Sequence, residues 1–252
     1  MFGCFIIYSY ICNMTSSSTT DWTDMDVRQV AESMTALWEP LTAEERVIMA
    51  ESLEVVTYQR GDTIFRTGDE PRHLMYLLDG RVTLYRKGVG GRSQVVRLVE
   101  PGGIFGYQAS FNDEPQLTTA IASDDAHVAM LPLTLVFHLI WENGAFAMCF
   151  IKELSELLGT SARRTMSMTQ KHIRGRLAEV LLAVHRKYGV EPDGQTLAIY
   201  LSRDDLAQLS NMTTSNAIRT LSAFAQEGLI AIEGRRIRFL ALSRLKHISD
   251  KG

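Results

Sequence analysis

The chain has 252 residues, of which 46% are hydrophobic and 22% charged, and its formal net charge at pH 7 is −3. That composition is typical of a soluble globular chain with enough residues for two domains. The three cysteines, Cys4, Cys12 and Cys149, are too dispersed for a disulfide framework, a zinc site or an iron–sulfur cluster. Reduced thiols in a cytoplasmic protein are therefore expected.

Residues 1–26 are predicted to be a disordered or mis-assigned leader. The apolar run from Phe5 to Ile11 is too short to span a bilayer, and no Lys or Arg precedes it as in a signal peptide. Residues 15–20 form a polar low-complexity stretch, and Met14 and Met25 offer later starts. No membrane partner is expected.

Residues 27–142 are predicted to form a β-rich domain behind a short helical preface. Thr42 and Glu45 have the spacing of a capping box at a helix start. From residue 54 to residue 132 the pattern changes to short apolar runs separated by turn pairs, which predicts a many-stranded antiparallel roll or barrel. The clearest turn pairs are Gly61–Asp62, Gly68–Asp69 and Asp79–Gly80.

Residues 143–170 are predicted to be a long helix that joins two copies of the chain. Residues recur along it in alternating steps of four and three, which is the spacing of a coiled-coil seam. This seam consists of Ala147, Ile151, Leu154, Leu158, Ser161, Thr165 and Met168. We expect Ile151, Leu154 and Leu158 to make the dimer contact. A second face, with Phe146, Phe150 and Leu157, is expected to pack on the roll. The alternative is one amphipathic helix buried within its own subunit.

Residues 171–252 are predicted to form a winged helix-turn-helix. Ser202 and Asp205 resemble a capping box, and Asn211 suits the left-handed turn between the two helices. Thr213 caps the second helix, which ends at Gly228. The inward-facing residues of that helix recur at helical spacing and are Ala217, Leu221 and Phe224. Alternating residues around Glu233–Gly234 predict a hairpin wing.

The second helix of a helix-turn-helix enters the major groove of DNA by its N-terminal end. Arg binds guanine, and Asn binds adenine, through two hydrogen bonds each. The groove residues expected here are Thr214, Ser215, Asn216 and Arg219. Phosphate contacts are expected from helix N-termini and the wing, through Ser202, Arg203, Thr213, Arg235, Arg236 and Arg238. The alternative is a solvated helix start, because Thr, Ser and Asn also favour caps.

The charge is divided unevenly along the chain. Residues 159–252 hold 15 Lys and Arg against 8 Asp and Glu, whereas residues 1–158 hold 11 against 21. A basic C-terminal part favours contact with phosphates, and the acidic N-terminal part should stay away from DNA.

The order of these segments resembles the cyclic-AMP receptor protein and fumarate-nitrate regulator superfamily over roughly residues 35–240. The first roll strands of that family are similar to YQRGDTIFRTGDEPRHLMYLLDGRVTLYRKG in this chain. The start of its phosphate-binding cassette is similar to PGGIFGYQASF, and the helix after its hinge is similar to IRGRLAEVLL. The resemblance implies an α+β fold. It consists of an N-terminal antiparallel β-roll like a cyclic-nucleotide-binding domain, a long central dimerisation helix and a C-terminal winged helix-turn-helix.

In cyclic-nucleotide members of that family, a Gly-Glu pair and a later Arg-Ser pair hold the ligand in the roll. Here Tyr107 follows Gly106 in place of the Glu, and Leu117-Thr118 stands in place of the Arg-Ser pair. Without the Arg, the charge-assisted contact that offsets burial of a phosphate is lost, so cyclic AMP is not expected in the usual pose. The residues implied around an effector pocket are Gly106, Tyr107, Gln108, Leu117, Thr118, Thr119 and Ser161.

Other sensors of that family carry iron–sulfur clusters or haem. Cys4 and Cys12 are too few and too far apart for the cluster type. Haem needs an axial ligand, and a His more often has a surface or capping role than an iron-binding one. Among the six histidines, those considered as axial ligands are His73, His127, His138, His172 and His185. An unidentified small molecule, or no effector, is the remaining alternative.

The resemblance implies a homodimeric transcription regulator that reads an inverted repeat in double-stranded DNA, with RNA polymerase as a protein partner. The alternative is a ligand-sensing module, for a cyclic nucleotide or haem, whose C-terminal domain mediates protein contacts. The basic C-terminal part favours the regulator. An enzyme is not expected, because the sequence has no nucleophile–base constellation, metal-ligand spacing or glycine-rich nucleotide loop.

Overall fold

The computed structural model describes residues 22, 25–88 and 93–252. Most of the predicted leader therefore lies outside the described residues. Trp22 belongs to that leader but is buried, and its Nε1 donates a hydrogen bond to Asp79 Oδ2 over 2.9 Å. The helical preface consists of α1 (Val27–Ser33), α2 (Thr35–Trp38) and α3 (Ala43–Glu51). Thr42 and Glu45 form the predicted capping box at the start of α3.

The eight strands of the N-terminal domain form two four-stranded antiparallel sheets within the described residues, which confirms the predicted roll. One sheet has the order β1-β8-β3-β6 and the other the order β2-β7-β4-β5. The strands are β1 (Glu54–Tyr58), β2 (Thr63–Phe65), β3 (His73–Asp79), β4 (Val82–Lys87), β5 (Ser93–Val99), β6 (Ile104–Phe105), β7 (Thr119–Ala122) and β8 (Ala126–Pro132).

Strand β3 is buried on both faces, which accounts for its unbroken apolar run. Leu74, Tyr76 and Leu78 belong to the core between the first sheet and the helices. Met75 and Leu77 belong to the core between the two sheets. Because successive side chains of a strand point to opposite faces, this one strand lines both cores.

Two helices follow the roll, α4 (Leu133–Glu142) and α5 (Gly144–Gln170). Asn143 caps α5, since its Oδ1 accepts hydrogen bonds from the backbone N–H groups of Ala145 and Phe146, both over 3.0 Å. Its Nδ2 also donates to Glu45 Oε2 over 2.8 Å, which ties the start of α5 to α3. Phe146 and Phe150 are buried in the core beneath the roll, as predicted for the second face of this helix.

An ion pair also joins the roll to α5. Arg97 lies on β5 directly opposite Leu84, which belongs to the core between the sheets. Its Nη2 lies 2.7 Å from Glu153 Oε1 on α5, and its Nη1 donates to the carbonyl of Ile104 over 3.0 Å. The long helix is therefore held to the roll by a charged contact as well as by aromatic packing.

The C-terminal domain forms the predicted winged helix-turn-helix. It has a core of its own, in which Ala217, Leu221 and Phe224 are buried as expected. Its elements are α6 (Ile173–Tyr188), α7 (Arg203–Leu209), α8 (Thr214–Gln226), β9 (Ile230–Glu233), β10 (Arg236–Phe239) and α9 (Leu242–Lys251).

The roll and the C-terminal domain touch each other within one subunit. Lys187 Nζ at the end of α6 lies 2.7 Å from Glu100 Oε2, just after β5. Gln94 Nε2 donates to Asn211 Oδ1 in the turn between α7 and α8 over 3.4 Å.

Within the part of the chain that the structure describes, no single helix is long and apolar enough to cross a membrane. Helices α4 and α5 reach that length and hydropathy only when taken together, and they meet at a bend of 112°.

The turn glycines provide a test of the roll. Gly80 has a φ of +79°, and a Cβ there would lie 2.2 Å from the carbonyl oxygen of Asp125, whereas Gly61 has a φ of +97° with no atom within 4 Å. We expect Gly61→Ala to cost about 1–2 kcal/mol of unfolding free energy from its left-handed backbone alone. Gly80→Ala should cost more, because the Asp125 backbone must also move. Urea unfolding of both variants measures the difference, and equal losses would contradict the clash.

Candidate functional site

The first helix of the helix-turn-helix, α7, begins with the predicted capping box. Ser202 Oγ accepts a hydrogen bond from the backbone N–H of Asp205 over 3.0 Å. Asp205 Oδ2 in turn accepts from the backbone N–H of Ser202 over 2.9 Å. These contacts occupy the Ser202 side chain as an acceptor and fix where α7 starts.

The turn between α7 and α8 has the geometry that its residues favour. Asn211 adopts a left-handed backbone with a φ of +50°. Thr213 then caps α8, because its Oγ1 accepts from the backbone N–H of Asn216 over 3.3 Å. The hydroxyl proton of Thr213 is not used in this cap, and the residue is exposed, so this O–H is free to donate to an acceptor outside the domain.

Helix α8 presents a distinct outward face. Ser215, Ile218, Arg219 and Ser222 are exposed, opposite the buried Ala217, Leu221 and Phe224. Arg219 makes no hydrogen bond or ion pair with residues of the described part of the chain. Its guanidinium is therefore available, with all five N–H donors, to a partner outside this subunit.

Two of the predicted groove residues already make contacts within the domain. The Thr214 hydroxyl donates to Asp204 Oδ1 over 2.8 Å, which ties the start of α8 to α7. Asn216 is half-buried, and its backbone carbonyl, not its side-chain amide, accepts from the Thr220 hydroxyl over 2.8 Å. Of the predicted set, Ser215 and Arg219 thus lie most openly on the outward face.

The wing is a β-hairpin of β9 and β10 with a two-residue turn, which Glu233 and Arg236 flank as a pair. Gly234 at its tip has a φ of +61°. Arg203 at the start of α7 donates from Nη2 to the Gly234 carbonyl over 2.8 Å, while its Nη1 is buried without a partner among the described residues. Arg203, predicted as a phosphate contact, therefore positions the wing against α7.

The three wing arginines differ in their surroundings. Arg236 donates to the Tyr200 hydroxyl over 3.1 Å, and Tyr200 in turn donates to Glu191 over 2.7 Å. This hydrogen bond, together with the nearby charge of Glu191, raises the pKa of the Arg236 guanidinium. Arg238 lies 3.6 Å from Glu233, whereas Arg235 is exposed at the tip and has no ion pair within the described residues.

The predicted effector-pocket residues lie in several different places. Gly106 is buried with a φ of +80°, a left-handed backbone that favours glycine, and a Cβ there would also lie 3.2 Å from Met75 Sδ. Gln116 is buried, and its Nε2 donates to the Gly106 carbonyl over 2.6 Å. The cassette is therefore held together by a contact between its two ends.

Tyr107 does not line an open pocket. Its side chain is fully buried in the core that packs against α5, with its ring centroid 5.4 Å from that of Phe150 and 5.9 Å from that of Phe111. Its hydroxyl has no hydrogen-bond partner among the described residues. Burial, and then the charge of Glu153, raises the pKa of Tyr107 far above its usual range.

The other predicted pocket residues are more exposed. Leu117 is 47% exposed, and Gln108 and Ser161 are also exposed. Thr118 is half-buried, and the Thr119 hydroxyl accepts from the backbone N–H of Thr67 over 3.1 Å. Ser161 lies eight residues beyond Glu153 on α5, which is about 12 Å along the helix.

Three of the predicted histidines have structural positions within their own domain. His127 Nδ1 lies 2.7 Å from Asp79 Oδ1, His172 precedes α6 as its N-cap residue, and the His185 ring packs edge-on against Phe239. Within the described residues, no group of three or more His, Cys, Asp and Glu side chains is placed to hold a metal ion.

The predicted dimer seam lies on the surface of the single subunit. Ile151 is 53% exposed, Leu154 36% and Leu158 72%. These three side chains therefore form an exposed apolar stripe along one helix of the single subunit.

Sequence reasoning missed two features of these sites. Ile218 on α8 is 48% exposed beside Arg219, and its spacing of three from Ser215 would have placed it on the same face. The Arg97–Glu153 pair was also missed. The only sequence signal for it is an arginine inside the apolar run of β5.

Two sequence families match the chain, one for each domain. The cyclic nucleotide-binding domain matches residues 55–143, and the Crp-like helix-turn-helix domain matches residues 175–248. A roll of the cyclic-nucleotide-binding type joined to a winged helix-turn-helix defines a DNA-binding transcription regulator. The chain belongs to the cyclic-AMP receptor protein and fumarate-nitrate regulator family, whose members are regulators rather than enzymes. Dimers that read inverted repeats are typical of this family.

Curated relatives agree with this assignment. The chain is 21% identical over 198 residues to the CRP-like cAMP-activated global transcriptional regulator of Mycobacterium tuberculosis, covering 78% of this chain and 88% of the relative. It is 26% identical over 204 residues to the transcriptional regulator SdrP of Thermus thermophilus, covering 80% and 97%.

Solved structures show the same fold. A CRP/FNR-family regulator from Thermus thermophilus superposes with a TM-score of 0.64 at 26% identity, covering 79% of this chain and 100% of that one. FixK2 from Bradyrhizobium japonicum superposes with a TM-score of 0.70 at 20% identity, covering 78% and 96%.

The cassette geometry predicts that cyclic AMP binds poorly. Leu117 offers no charge to a phosphate, and Tyr107 is packed beneath α5. Calorimetry with wild-type protein should therefore give no saturable heat with cyclic AMP. Leu117→Arg, which restores a guanidinium at an exposed position, should bind more tightly than wild type. Submicromolar binding by the wild type that also raises DNA affinity would contradict this prediction.

Proposed function

We propose that this regulator reads DNA through the outward face of α8, with Arg219 and Asn216 contacting base edges and Ser215 beside them. The observation that carries the proposal is the exposed, unpaired guanidinium of Arg219 near the N-terminal end of α8. An Arg at this position of a helix-turn-helix reaches guanine O6 and N7 in the major groove.

Phosphate contacts are proposed around this reader. They are proposed from the Thr213 hydroxyl and from the N-terminal ends of α7 and α8, with Ser202 at the start of α7. In the wing, Arg235 is exposed, and Arg236 keeps 57% of its side chain exposed while Tyr200 and Glu191 hold it in place. Arg203 and Thr214 are proposed to act indirectly, by holding the wing and the start of α8 in position.

We propose that the dimer forms along α5 through Ile151, Leu154 and Leu158. The adjoining face of the helix is occupied by the roll, since Phe146 and Phe150 are buried there. The exposed apolar stripe is thus left for a second copy. Two-fold symmetry about this seam would present two α8 helices to an inverted repeat about one DNA turn apart.

RNA polymerase is proposed as the protein partner, and the cytoplasm as the place of action. Support comes from the relatives, which are transcriptional regulators. A protein bound at an operator alters transcription through the polymerase that uses the neighbouring promoter.

The dimer seam is tested by placing a charge on it. Leu154→Asp should shift the protein toward monomer and weaken operator binding, because an unpaired carboxylate would be buried in an apolar seam. Sedimentation velocity at micromolar concentration measures the change. Lys152→Asp is the matched control, since it introduces the same side chain about 200° round the helix. A dimer that survives Leu154→Asp but not Lys152→Asp would place the interface on another face.

The proposed difference between Arg219, which contacts bases, and the wing arginines, which contact phosphates, is tested on randomised DNA. Arg219→Ala should relax the preference at one position of each half-site, at a cost of about 1–3 kcal/mol in discrimination. Arg235→Ala should weaken binding evenly across sequences and reduce the salt slope by about one unit. Arg236→Ala is expected to behave like Arg235→Ala. If Arg219→Ala leaves the selected motif unchanged while a wing variant alters it, the roles are reversed.

A further inference from the structure

An isoleucine interrupts the polar outward face of α8. Ile218 is 48% exposed, between the exposed Arg219 and the buried Ala217. Scattered exposed apolar residues are ordinary on protein surfaces. The position of this one is informative, because it lies on the second turn of the helix that is proposed to enter the groove.

Helical geometry places Ile218 and Arg219 on the two flanks of the outward face of α8. At about 100° per residue, Ser215 and Ser222 lie along the centre of the outward face, with Ile218 on one flank and Arg219 on the other. Both small serines leave room along the centre, so the two larger side chains extend beyond them. When the helix lies in a groove, these two side chains reach neighbouring base pairs.

The apolar side chain of Ile218 limits which base edge it can contact in the major groove. The major-groove edges of the four base pairs present hydrogen-bond donors and acceptors, and the C5 methyl of thymine is their apolar group. An isoleucine has no hydrogen-bonding group to satisfy the donors and acceptors of the other bases, so covering them costs free energy. Its branched Cβ also restricts χ1 in a helix, which keeps the side chain in a fixed position.

We infer that Ile218 is a specificity-determining residue that packs on the C5 methyl of a thymine next to the base read by Arg219. The inference rests on the proposed role of α8 and adds the identity of a second base. It makes the half-site preference depend on a methyl group as well as on hydrogen bonds.

The first experiment changes only the DNA. An operator is selected from randomised duplexes with the full-length wild-type protein, and each thymine of a half-site is then replaced by deoxyuridine, which pairs alike but lacks the methyl. At one position the affinity should fall by about fourfold in one half-site, and by about fifteenfold when both are changed, as burial of one methyl implies. Equal affinity for thymine and uracil at every position overturns the inference.

The second experiment crosses the DNA change with a protein change. Ile218→Ala should bind the thymine operator more weakly than wild type and should no longer distinguish thymine from uracil. Leu240→Ala is the matched control, because Leu240 is 51% exposed in the same domain but lies outside α8. It should keep the wild-type preference for thymine. A uracil effect of the same size in Ile218→Ala and wild type would assign the methyl to another residue and overturn the inference.

The two proposals fail in different ways. If Arg219→Ala and Ile218→Ala both leave the selected motif unchanged, α8 is not the reading helix and the proposed function fails. If Arg219→Ala relaxes one position while methyl removal has no effect anywhere, α8 still reads DNA and only the role of Ile218 is wrong.

Discussion

The two faces of α5 are the constraint on which the rest of the molecule depends. One face is packed beneath the roll by Phe146 and Phe150 and tied to it by the ion pair of Glu153 with Arg97. The neighbouring face leaves Leu154 and Leu158 exposed to solvent. Burying these exposed apolar side chains removes them from water, and in the proposed dimer a second copy of the chain covers them. The same helix carries the chain into the DNA-binding domain, so in the proposed dimer its geometry sets the spacing of the two α8 helices.

Within the DNA-binding domain, the polar side chains divide into those that make hydrogen bonds inside the subunit and those that do not. Thr214 and Arg203 are engaged with Asp204 and Gly234, where they brace α8 and the wing against α7. Arg219 has no such contact among the described residues. A side chain that already makes hydrogen bonds within the subunit must lose them to bind another partner, which costs free energy. An unpaired exposed guanidinium loses none and gains hydrogen bonds on binding. Rigid bracing also lowers the entropy lost when the reading face enters a groove.

The roll keeps the family architecture but has different chemistry at its cassette. Leu117 presents an exposed apolar side chain, and Tyr107 is turned into the core against Phe150. The contact between the roll and α5 is made by the protein's own Arg97 and Glu153. The junction between the roll and α5 is therefore held by side chains of the protein itself.

The local features of this protein were readable from the sequence alone. The capping box at Ser202, the left-handed Asn211 and the turn glycines depend on residues at most a few positions apart, so their spacing in the sequence is also their spacing in space. The alternation of strands and the seam of α5 follow from periodicity in the same way. The partners of Arg203 and Arg97 lie 31 and 56 residues away, and nothing in a local pattern identifies them. The direction of Tyr107 was likewise decided by the aromatic side chains that surround it after folding. Only the tertiary structure brings such groups together, because a long-range contact depends on the path of the whole chain between its two ends.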